Sequence, residues 1–330
     1  MVEPGRGILA ADESNPTMNS RLDKVGLEAT PEVRRNYREM LLTAADLDSS
    51  ISGVILYDET VRQQAADGRP FIELVTAAGI IPGIKVDTGA KPLAGADGEK
   101  VTEGLDGLAE RLEEYVGMGA RFAKWRAVIT IGNGLPSAKA VHVNAHALAR
   151  YAALCQAAGL VPIVEPEVMM TGDHDLARCE QVTTSTLRAV FDELAAQDVL
   201  LEGMVLKPNM VVPGESAGAV PAEAVAEATL RCLYRSVPAA VPGIAFLSGG
   251  QSDGDATAHL QAMNSMGRHP WALTFSFGRA LVSAALENWH GDPAHVDAGQ
   301  QALLARARAN AAASTGSYSG DLDRHSAAPV

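Results

Sequence analysis

Eight short apolar runs alternate with amphipathic segments of helical length, and this alternation restricts the fold more than any other feature of the sequence. The runs, most of which end in polar or charged residues, are GILAAD (7–12), SGVILYD (52–58), IPGIKVD (81–87), FAKWRAVI (122–129), VPIVEPEV (161–168), GMVLKPNM (203–210), GIAFLSGG (243–250) and ALTFSFG (272–278). Eight strand–helix units in series, with few residues left over, predict an α/β fold, a closed (β/α)8 TIM barrel rather than an open doubly wound sheet.

Three of the intervening segments carry clear helix signals. They are PEVRRNYREMLLTAADL, which follows Thr30, GLDGLAERLEEYVGMG (104–119), and SAKAVHVNAHALARYAALCQAAG (137–159), which begins with an N-capping serine and ends in glycine. No internal repeat and no Pro/Gly/Ser-rich linker divides the chain, so a single catalytic barrel domain is expected over residues 1–313. The segment STGSYSGDLDRHSAAPV loses apolar periodicity, which predicts a flexible C-terminal tail at 314–330.

Composition narrows the class of protein. With 330 residues and 47% apolar content, the chain buries a substantial core, while no run of about 18 apolar residues and no signal-peptide pattern is present, so a soluble, cytoplasmic protein is expected. The three cysteines, at 155, 179 and 232, form no CxxC pair and suggest reduced thiols. A net charge of −13 disfavours nucleic acid and anionic membranes as partners, so an anionic ligand requires a local cationic site.

The stretch LSGGQ (247–251) matches the signature of cassette ATPases, but such enzymes also need a GxxxxGK[ST] loop, and the sequence contains no Gly-Lys dipeptide. A glycine-rich loop after a strand has another use, because glycine lets backbone N–H groups approach an anion and the following helix adds a positive dipole. In barrels, phosphate commonly binds at the loops after strands seven and eight, which here carry SGGQ (248–251) and SFGR (276–279). These loops predict a phosphate site.

Several predicted strands carry charged side chains near their carboxyl ends. Residues two apart on a strand share a face, which pairs Lys85 with Asp87, Lys124 with Arg126, and Glu165 with Glu167. Each charge alone is compatible with a structural ion pair. Because barrel chemistry collects at the carboxyl ends of the strands, we expect Lys124, Glu165, Glu167 and Lys207 to converge on one cavity.

A lysine in an apolar strand near a second lysine has two reasons to lose its proton, since burial and like charge both disfavour the ammonium. Its pKa is expected to fall from about 10.4 toward about 7 to 8, where a free amine attacks a carbonyl. Lys207, in VLKPNM, is the better candidate for the nucleophile, and Lys124 is the better candidate for its electrostatic neighbour. This pattern favours a Schiff-base enzyme.

The sequence closely resembles class I fructose-1,6-bisphosphate aldolases from Gly5 to about Tyr318. The resemblance rests on GRGILAADES (5–14), GIKVDTG (83–89), FAKWRAVI (122–129), VPIVEPE (161–167), LKPNMV (206–211), FLSGGQS (246–252) and PWALTFSFGRAL (270–281). It implies a metal-independent lyase without a cofactor that cleaves fructose 1,6-bisphosphate reversibly to dihydroxyacetone phosphate and glyceraldehyde 3-phosphate, in glycolysis and gluconeogenesis. It also implies a cytoplasmic homotetramer.

The same resemblance assigns roles to residues. Lys207 forms the imine, Lys124 and Glu165 transfer protons, Glu167 shapes the field around the imine, and Asp12 takes the C4 hydroxyl proton as the C3–C4 bond breaks. Residues implied to hold the phosphate on C1 are Arg21, Ser248, Gly249, Gly278 and Arg279; Ser14, Thr17 and Lys85 hold the phosphate on C6, and Arg126 lines the site.

The chain departs from the family pattern at two places. Ser20 stands where the family often has a lysine, and the chain ends in SAAPV where many members end in a tyrosine. Tyr318 is a candidate substitute for that tyrosine.

Three alternatives stay open at this stage. A metal-dependent aldolase would need histidine ligands, for which His142, His146 and His174 are the candidates; a solvated helix face and a helix N-terminus explain them better. A sugar-phosphate sensor without turnover is the second alternative. The third is a related Schiff-base lyase acting on fructose 1-phosphate or another ketose.

Overall fold

Eight parallel strands close into a barrel in the computed structural model of the protein, which describes residues 1–320, and the (β/α)8 prediction is confirmed. The barrel strands are β1 (Gly7–Ala11), β2 (Ile51–Leu56), β3 (Ile81–Lys85), β6 (Phe122–Ile129), β7 (Val161–Val168), β8 (Val205–Leu206), β9 (Gly243–Phe246) and β10 (Ala272–Phe277). They follow one another around the barrel in chain order, and β10 pairs with β1. A separate antiparallel hairpin, β4 (Gly89–Pro92) with β5 (Lys100–Glu103), follows β3.

Helices lie between the strands. They are α1 (Asn15–Lys24), α2 (Pro31–Leu42), α3 (Asp58–Val61), α4 (Phe71–Ala77), α5 (Leu108–Met118), α6 (Ala138–Ala157), α7 (Leu176–Ala196), α8 (Ala222–Ser236), α9 (Asp253–Ser265), α10 (Arg279–Trp289) and α11 (Val296–Ala313), with short 3-10 turns at Leu47–Ser49, Leu201–Gly203 and Pro293–His295. The three helices predicted from the sequence are α2, α5 and α6. The hydroxyls of Thr30 and Ser137 cap α2 and α6, each accepting a backbone N–H three residues on at 3.1 Å.

The barrel interior has an apolar floor and a charged upper half. The floor is built from one small side-chain layer, namely Ile8, Ala10, Ile55, Phe122, Ile163, Val205 and Ala245. Side chains alternate along a strand, so the residues two and four places after a floor residue face the same interior. After Phe122 on β6 these are Lys124 and Arg126, and after Ile163 on β7 they are Glu165 and Glu167.

A close approach in this floor requires glycine at one position. A Cβ on Gly83 would lie only 2.2 Å from the Phe122 ring, so any larger residue there would displace the ring from the floor. The large apolar core lies outside the barrel, between the strands and the helices, and holds the strands in place from behind.

The strand predicted at GMVLKPNM is shorter than expected. Only Val205–Leu206 forms the ladder with β7, although the backbone N–H of Lys207 still donates to the carbonyl of Val164 at 2.8 Å. Pro208 has no N–H to donate, although its carbonyl still accepts the backbone N–H of Leu247, which follows β9, at 3.1 Å. The side chain of Lys207 therefore stands at the rim of the strand.

The predicted flexible tail at 314–330 falls partly outside the described residues, which end at 320. Helix α11 ends at Ala313, and the hydroxyl of Ser314 accepts the backbone N–H of Gly5 at 3.1 Å. Tyr318 is partly buried, and its backbone N–H donates to Gln261 Oε1 at 2.9 Å. Residues 321–330 lie outside the described part, so the flexible tail stays a prediction. Within residues 1–320, no helix has the length and apolar character needed to span a bilayer.

Candidate active site

One cavity of about 410 Å³ lies at the carboxyl ends of the barrel strands, and all of the site residues predicted from the sequence line it. The residues predicted for the chemistry are Asp12, Lys124, Glu165, Glu167 and Lys207, and those predicted to bind substrate are Ser14, Thr17, Arg21, Lys85, Arg126, Ser248, Gly249, Gly278 and Arg279. Because the strands are parallel, their carboxyl ends meet at one rim, and residues distant in sequence come together there.

A row of alternating charges crosses the cavity. The amine of Lys207 lies 3.2 Å from Glu165 Oε1, and the amine of Lys124 lies 3.2 Å from Glu165 Oε2. Lys124 also lies 2.8 Å from Asp12 Oδ2. Lys124, Glu165 and Lys207 are each 3% exposed. The four groups form a continuous row of ion pairs from Lys207 to Asp12.

The charges in this row set one another's protonation. Burial alone raises the pKa of Asp12, but the charges of Lys124 and Lys207 outweigh burial and lower that pKa well below its ordinary value. The same balance lowers the pKa of Glu165. Burial lowers the pKa of Lys124, yet Asp12 and Glu165 together raise it above the ordinary lysine value. Both carboxylates are therefore ionised at neutral pH, and Lys124 is a cation.

Two further ion pairs flank the row. The guanidinium of Arg126 donates to Glu167, and the amine of Lys85 lies 2.6 Å from Asp87 Oδ1 and 2.8 Å from the Asp87 carbonyl. Glu167 is buried on β7, and Arg126 on the neighbouring strand β6 compensates its negative charge. Lys85 lies at the cavity wall and uses two of its three N–H groups in these contacts, so one N–H remains to bind a ligand.

The two glycine-containing loops meet on the opposite side of the cavity. Arg279 is the first residue of α10, and its guanidinium donates to the carbonyl of Gly249. Gly249 has a φ of +58°, a conformation that favours glycine. The backbone N–H groups of Gly249 and Gly250 have no hydrogen-bond partner among the described residues. Unpaired N–H groups beside a guanidinium form a site that suits a phosphate.

Arg21 reaches the cavity from α1 and is held by a carboxylate. Its guanidinium donates to Glu13, whose other oxygen accepts from Arg38 at 2.7 Å. Arg38 is 3% exposed, and it also donates to the backbone carbonyl of Glu13 at 3.1 Å. Near the same helix start, the hydroxyls of Ser14 and Thr17 lie 3.1 Å apart. Helix α1 and its N-cap thus present a cation, in the last turn, and two hydroxyls, in the first, to the cavity.

Other polar residues that line the cavity were not assigned a role from the sequence. They are Glu13, Tyr57, Asp87, Thr88 and Ser276. Ser276 Oγ is buried and has no hydrogen-bond partner among residues 1–320, so this hydroxyl can donate to or accept from a ligand. A signal existed for Ser276, because it is the first residue of the SFGR stretch (276–279) that was predicted to bind a phosphate.

The histidines of the metal-dependent alternative lie away from the cavity. His142 and His146 on α6 both contact Glu193 on α7, with Nδ1 at 3.2 Å and 2.9 Å from its carboxylate oxygens. His174 precedes α7, which Asp175 caps. Within the described part of the chain, no group of three or more His, Cys, Asp or Glu residues is arranged to hold a metal ion.

Comparison with known proteins gives consistent results. A family model for fructose-bisphosphate aldolase class I matches residues 1–329. The chain is 55% identical to a probable fructose-bisphosphate aldolase class 1 of Xanthomonas axonopodis pv. citri, over 97% of this chain and 96% of the relative. It is 51% identical to the cytosolic fructose-bisphosphate aldolase 6 of Arabidopsis thaliana, over 96% and 89% of the two chains.

A solved structure is also similar. It is the fructose-bisphosphate aldolase of Plasmodium falciparum, crystallised with TRAP and a small-molecule inhibitor. The sequence identity is 48%, the TM-score is 0.95, and the match covers 97% of this chain and 93% of the other. The barrel and its order of elements are therefore shared along almost the whole length of both chains.

Proposed function

The chain belongs to the class I fructose-bisphosphate aldolase family, and we propose that Lys207 is the residue on which its covalent chemistry takes place. The activity is the reversible cleavage of fructose 1,6-bisphosphate to dihydroxyacetone phosphate and glyceraldehyde 3-phosphate, in glycolysis and gluconeogenesis. The observation that supports Lys207 is the position of its amine, buried at the strand rim and 3.2 Å from Glu165, which can take a proton from it.

Imine formation is assigned to Lys207 and Glu165, with Lys124 as a cation beside them. Lys207 first gives a proton to Glu165; its neutral amine then adds to the C2 carbonyl of the open-chain sugar, and a proton passes from the nitrogen to the former carbonyl oxygen to give a carbinolamine. Glu165, once protonated, donates to the departing hydroxyl, which leaves as water. The product is a positively charged imine. Lys124 compensates the carboxylate charge throughout, because Asp12 and Glu165 raise its pKa.

Asp12 is assigned the cleavage step. Its carboxylate accepts the proton of the C4 hydroxyl, the C3–C4 bond breaks, and the electron pair moves through C2 to the imine nitrogen. Glyceraldehyde 3-phosphate leaves and an enamine remains on Lys207. Protonation of the enamine at C3 and hydrolysis of the imine then release dihydroxyacetone phosphate. The charges of Lys124 and Lys207 lower the pKa of Asp12, so the residue is in the ionised form that can accept a proton.

The two ends of the substrate are assigned to the two cationic sides of the cavity. The loops that carry Ser248, Gly249, Gly278 and Arg279 bind the phosphate on C1, with Arg21 beside them. Ser14, Thr17 and Lys85 bind the phosphate on C6, Arg126 lines the site between, and Glu167 supports the imine charge. Holding both phosphates fixes the C2 carbonyl relative to the amine, and orientation of this kind contributes several kcal/mol to catalysis.

Reductive trapping tests the assignment of Lys207. Sodium borohydride reduces an imine to a stable secondary amine, so treatment of the enzyme with dihydroxyacetone phosphate and borohydride should label one lysine. Peptide mapping is expected to place the label on Lys207. The Lys207→Met variant should give no labelled peptide, whereas Lys91→Met, which removes an exposed lysine, should label as the native enzyme does. A label on any other lysine contradicts the assignment.

We further propose that the enzyme acts in the cytoplasm as a homotetramer. Similarity to plant relatives named as cytosolic or cytoplasmic supports the location, and the pattern of the family supports the assembly. Light scattering coupled to size-exclusion chromatography measures the assembly directly. A mass close to that of one chain, 34.5 kDa, would contradict a tetramer.

A further inference from the structure

A tight turn after β9 forms the wall of the cavity at the proposed C1-phosphate site. The backbone N–H of Gln251 donates to the carbonyl of Ser248 at 3.1 Å, which closes the turn. The side-chain amide of Gln251 donates to the same carbonyl at 3.0 Å. One carbonyl thus receives two donors from one residue.

The hydrogen bond from the Gln251 side chain matters because the carbonyl of Ser248 shares a peptide unit with the N–H of Gly249. The carbonyl of Ser248 and the N–H of Gly249 belong to one planar trans peptide and point in opposite directions. Rotation of this peptide changes ψ of Ser248 and φ of Gly249, and glycine eases it because glycine adopts both signs of φ at little cost. If the peptide rotated, a carbonyl oxygen would replace the N–H at the cavity wall and would repel a phosphate. Fixing the carbonyl therefore fixes the donor.

The orientation of Gln251 is itself set by a buried histidine. His259 on α9 is 8% exposed, and its Nδ1 lies 2.5 Å from Gln251 Oε1. The Ser248 carbonyl can only accept, so the amide nitrogen of Gln251 must face it, and Oε1 must face the histidine. Nδ1 of His259 is therefore the donor. Burial lowers the pKa of His259, so the neutral ring with its proton on Nδ1 is the form at neutral pH.

We propose that His259 and Gln251 are positioning residues for the C1 phosphate, acting through the Ser248–Gly249 peptide. His259 orients the Gln251 amide, the amide holds the Ser248 carbonyl, and the held carbonyl turns the Gly249 N–H toward the phosphate. Neither side chain touches the substrate. The proposal rests on the proposed function, because it assumes that the turn binds the phosphate on C1.

The proposal predicts a selective loss. A variant that breaks the relay should weaken binding of a ketone that carries the phosphate, and should leave binding of the same ketone without the phosphate unchanged. Dihydroxyacetone phosphate and dihydroxyacetone form such a pair. The amount of borohydride-trapped adduct, measured against ketone concentration, gives the half-saturating concentration for each. A general loss of packing around α9 would change both.

Three variants make the test sharp. His259→Leu removes the donor and keeps an apolar side chain; it should raise the half-saturating concentration of dihydroxyacetone phosphate about five-fold, the effect of one neutral hydrogen bond. His259→Asn supplies an amide N–H near the place of Nδ1 and should return that concentration to within about two-fold of the native value. His269→Leu is the matched control, because His269 also makes two hydrogen bonds near α9 but lies outside the turn. It should behave as the native enzyme does.

The results for the two ketones support or overturn the proposal as follows. A rise for the phosphorylated ketone alone, rescued by His259→Asn, supports the proposal. Equal rises for both ketones, or no rise for either, overturn it. If His259→Leu does not fold, Gln251→Met carries the same prediction with an equal or larger effect. Absence of any adduct in the native enzyme is a separate result, which overturns the proposed function and with it the basis of this assignment.

Discussion

Glu165 uses each of its two oxygens for a different lysine. Because Lys207 and Lys124 both lie 3.2 Å from this carboxylate, the charges of both lysines lower the pKa of Glu165. Asp12 adds a second anion on the far side of Lys124 at 2.8 Å. Replacing either lysine of this row therefore alters the pKa of the carboxylates Glu165 and Asp12.

Replacement of Lys124 by methionine is expected to change both the rate and its pH dependence. The cation that lowers the pKa of Asp12 and Glu165 is lost, so both pKa values rise. The acid limb of the profile of kcat/KM should then move to higher pH, and kcat should fall about 100- to 10,000-fold, the usual range for loss of an acid–base group. Steady-state cleavage of fructose 1,6-bisphosphate across the pH range measures both.

The control for this experiment is Lys139→Met at the start of α6, outside the cavity, which should keep the native profile. An acid limb that stays in place, or moves to lower pH, in the Lys124→Met variant would contradict the described balance of charges.

At the level of single residues, alternation along the strands predicted which side chains face the interior, because that periodicity is a property of the backbone. Alternation did not predict the order in which Lys207, Glu165, Lys124 and Asp12 contact one another across the cavity. That order depends on neighbouring strands, and the carboxylates that raise the pKa of Lys124 lie far from it in sequence. Glu13 was overlooked for the same reason, since the two arginines that bind it lie on α1 and α2.

At the level of elements, Asn209 connects the segment after β8 to its neighbours. Its Oδ1 accepts the backbone N–H of Val168 at the end of β7, at 3.0 Å, and its Nδ2 donates to Thr183 Oγ1 on α7 at 3.2 Å and to the Met210 carbonyl at 3.0 Å. Asn209 lies two residues after Lys207, and Val168 lies one residue after Glu167. This side chain therefore fixes the two strand ends that carry the lysine and the glutamates.

Replacement of Asn209 by leucine is expected to lower the free energy of unfolding by about 2 to 3 kcal/mol. The change removes the hydrogen bonds to Val168, Thr183 and Met210 and leaves the buried N–H of Val168 without a partner. Urea unfolding followed by circular dichroism measures the difference. Asn288→Leu, which removes an exposed side chain with one local hydrogen bond, should change the value by less than about 0.5 kcal/mol. Equal values for both variants would show that Asn209 does not join the strands.

The strands and the capped helices were predictable because apolar runs, caps and glycines are local signals. The β4–β5 hairpin was missed, since its strands carry exposed Lys91, Pro92, Lys100 and Glu103 and have no apolar face to signal them. The early end of β8 was also missed, although Pro208 was visible. A proline ends a ladder only where the backbone N–H of another residue at that position would donate to the partner strand, and the sequence does not show which positions those are.

At the scale of the whole molecule, closure of the barrel is what brings β1 beside β10 and completes the cavity. Ala11 ends β1, and Asp12 follows it at the rim, where it reaches Lys124 on β6 across the interior. An open sheet would separate these strands. The eight-unit count in the sequence was sufficient to predict closure, whereas the contacts across the interior required the structure.

The ion pairs in this interior link stability to pH. The pKa of Asp12 in the folded protein lies below its ordinary value of 3.8, so the unfolded chain binds a proton on this residue before the folded protein does. The stabilisation is therefore fully present above about pH 5 and decreases as the pH falls below about 4. The Asp12→Asn variant lacks this contribution.

The difference in unfolding free energy between native protein and Asp12→Asn should accordingly be constant near neutral pH and should narrow as the pH falls below about 4. Urea titrations at a series of pH values measure it. Glu13→Gln is unsuitable as a control because Glu13 holds Arg21. Asp297→Asn, which changes an exposed residue at the start of α11, is suitable and should show no such trend. A difference that widens in acid would reverse the sign that the structure requires.

The central claim is that the amine of Lys207 forms a covalent bond with the sugar ketone. The most direct measurement is kcat for cleavage of fructose 1,6-bisphosphate by the Lys207→Met variant, beside Lys24→Met as a surface control. Without the amine no imine forms, so kcat is predicted to fall by at least about a thousand-fold while the control is unchanged. Cleavage by Lys207→Met at the native rate would contradict the account.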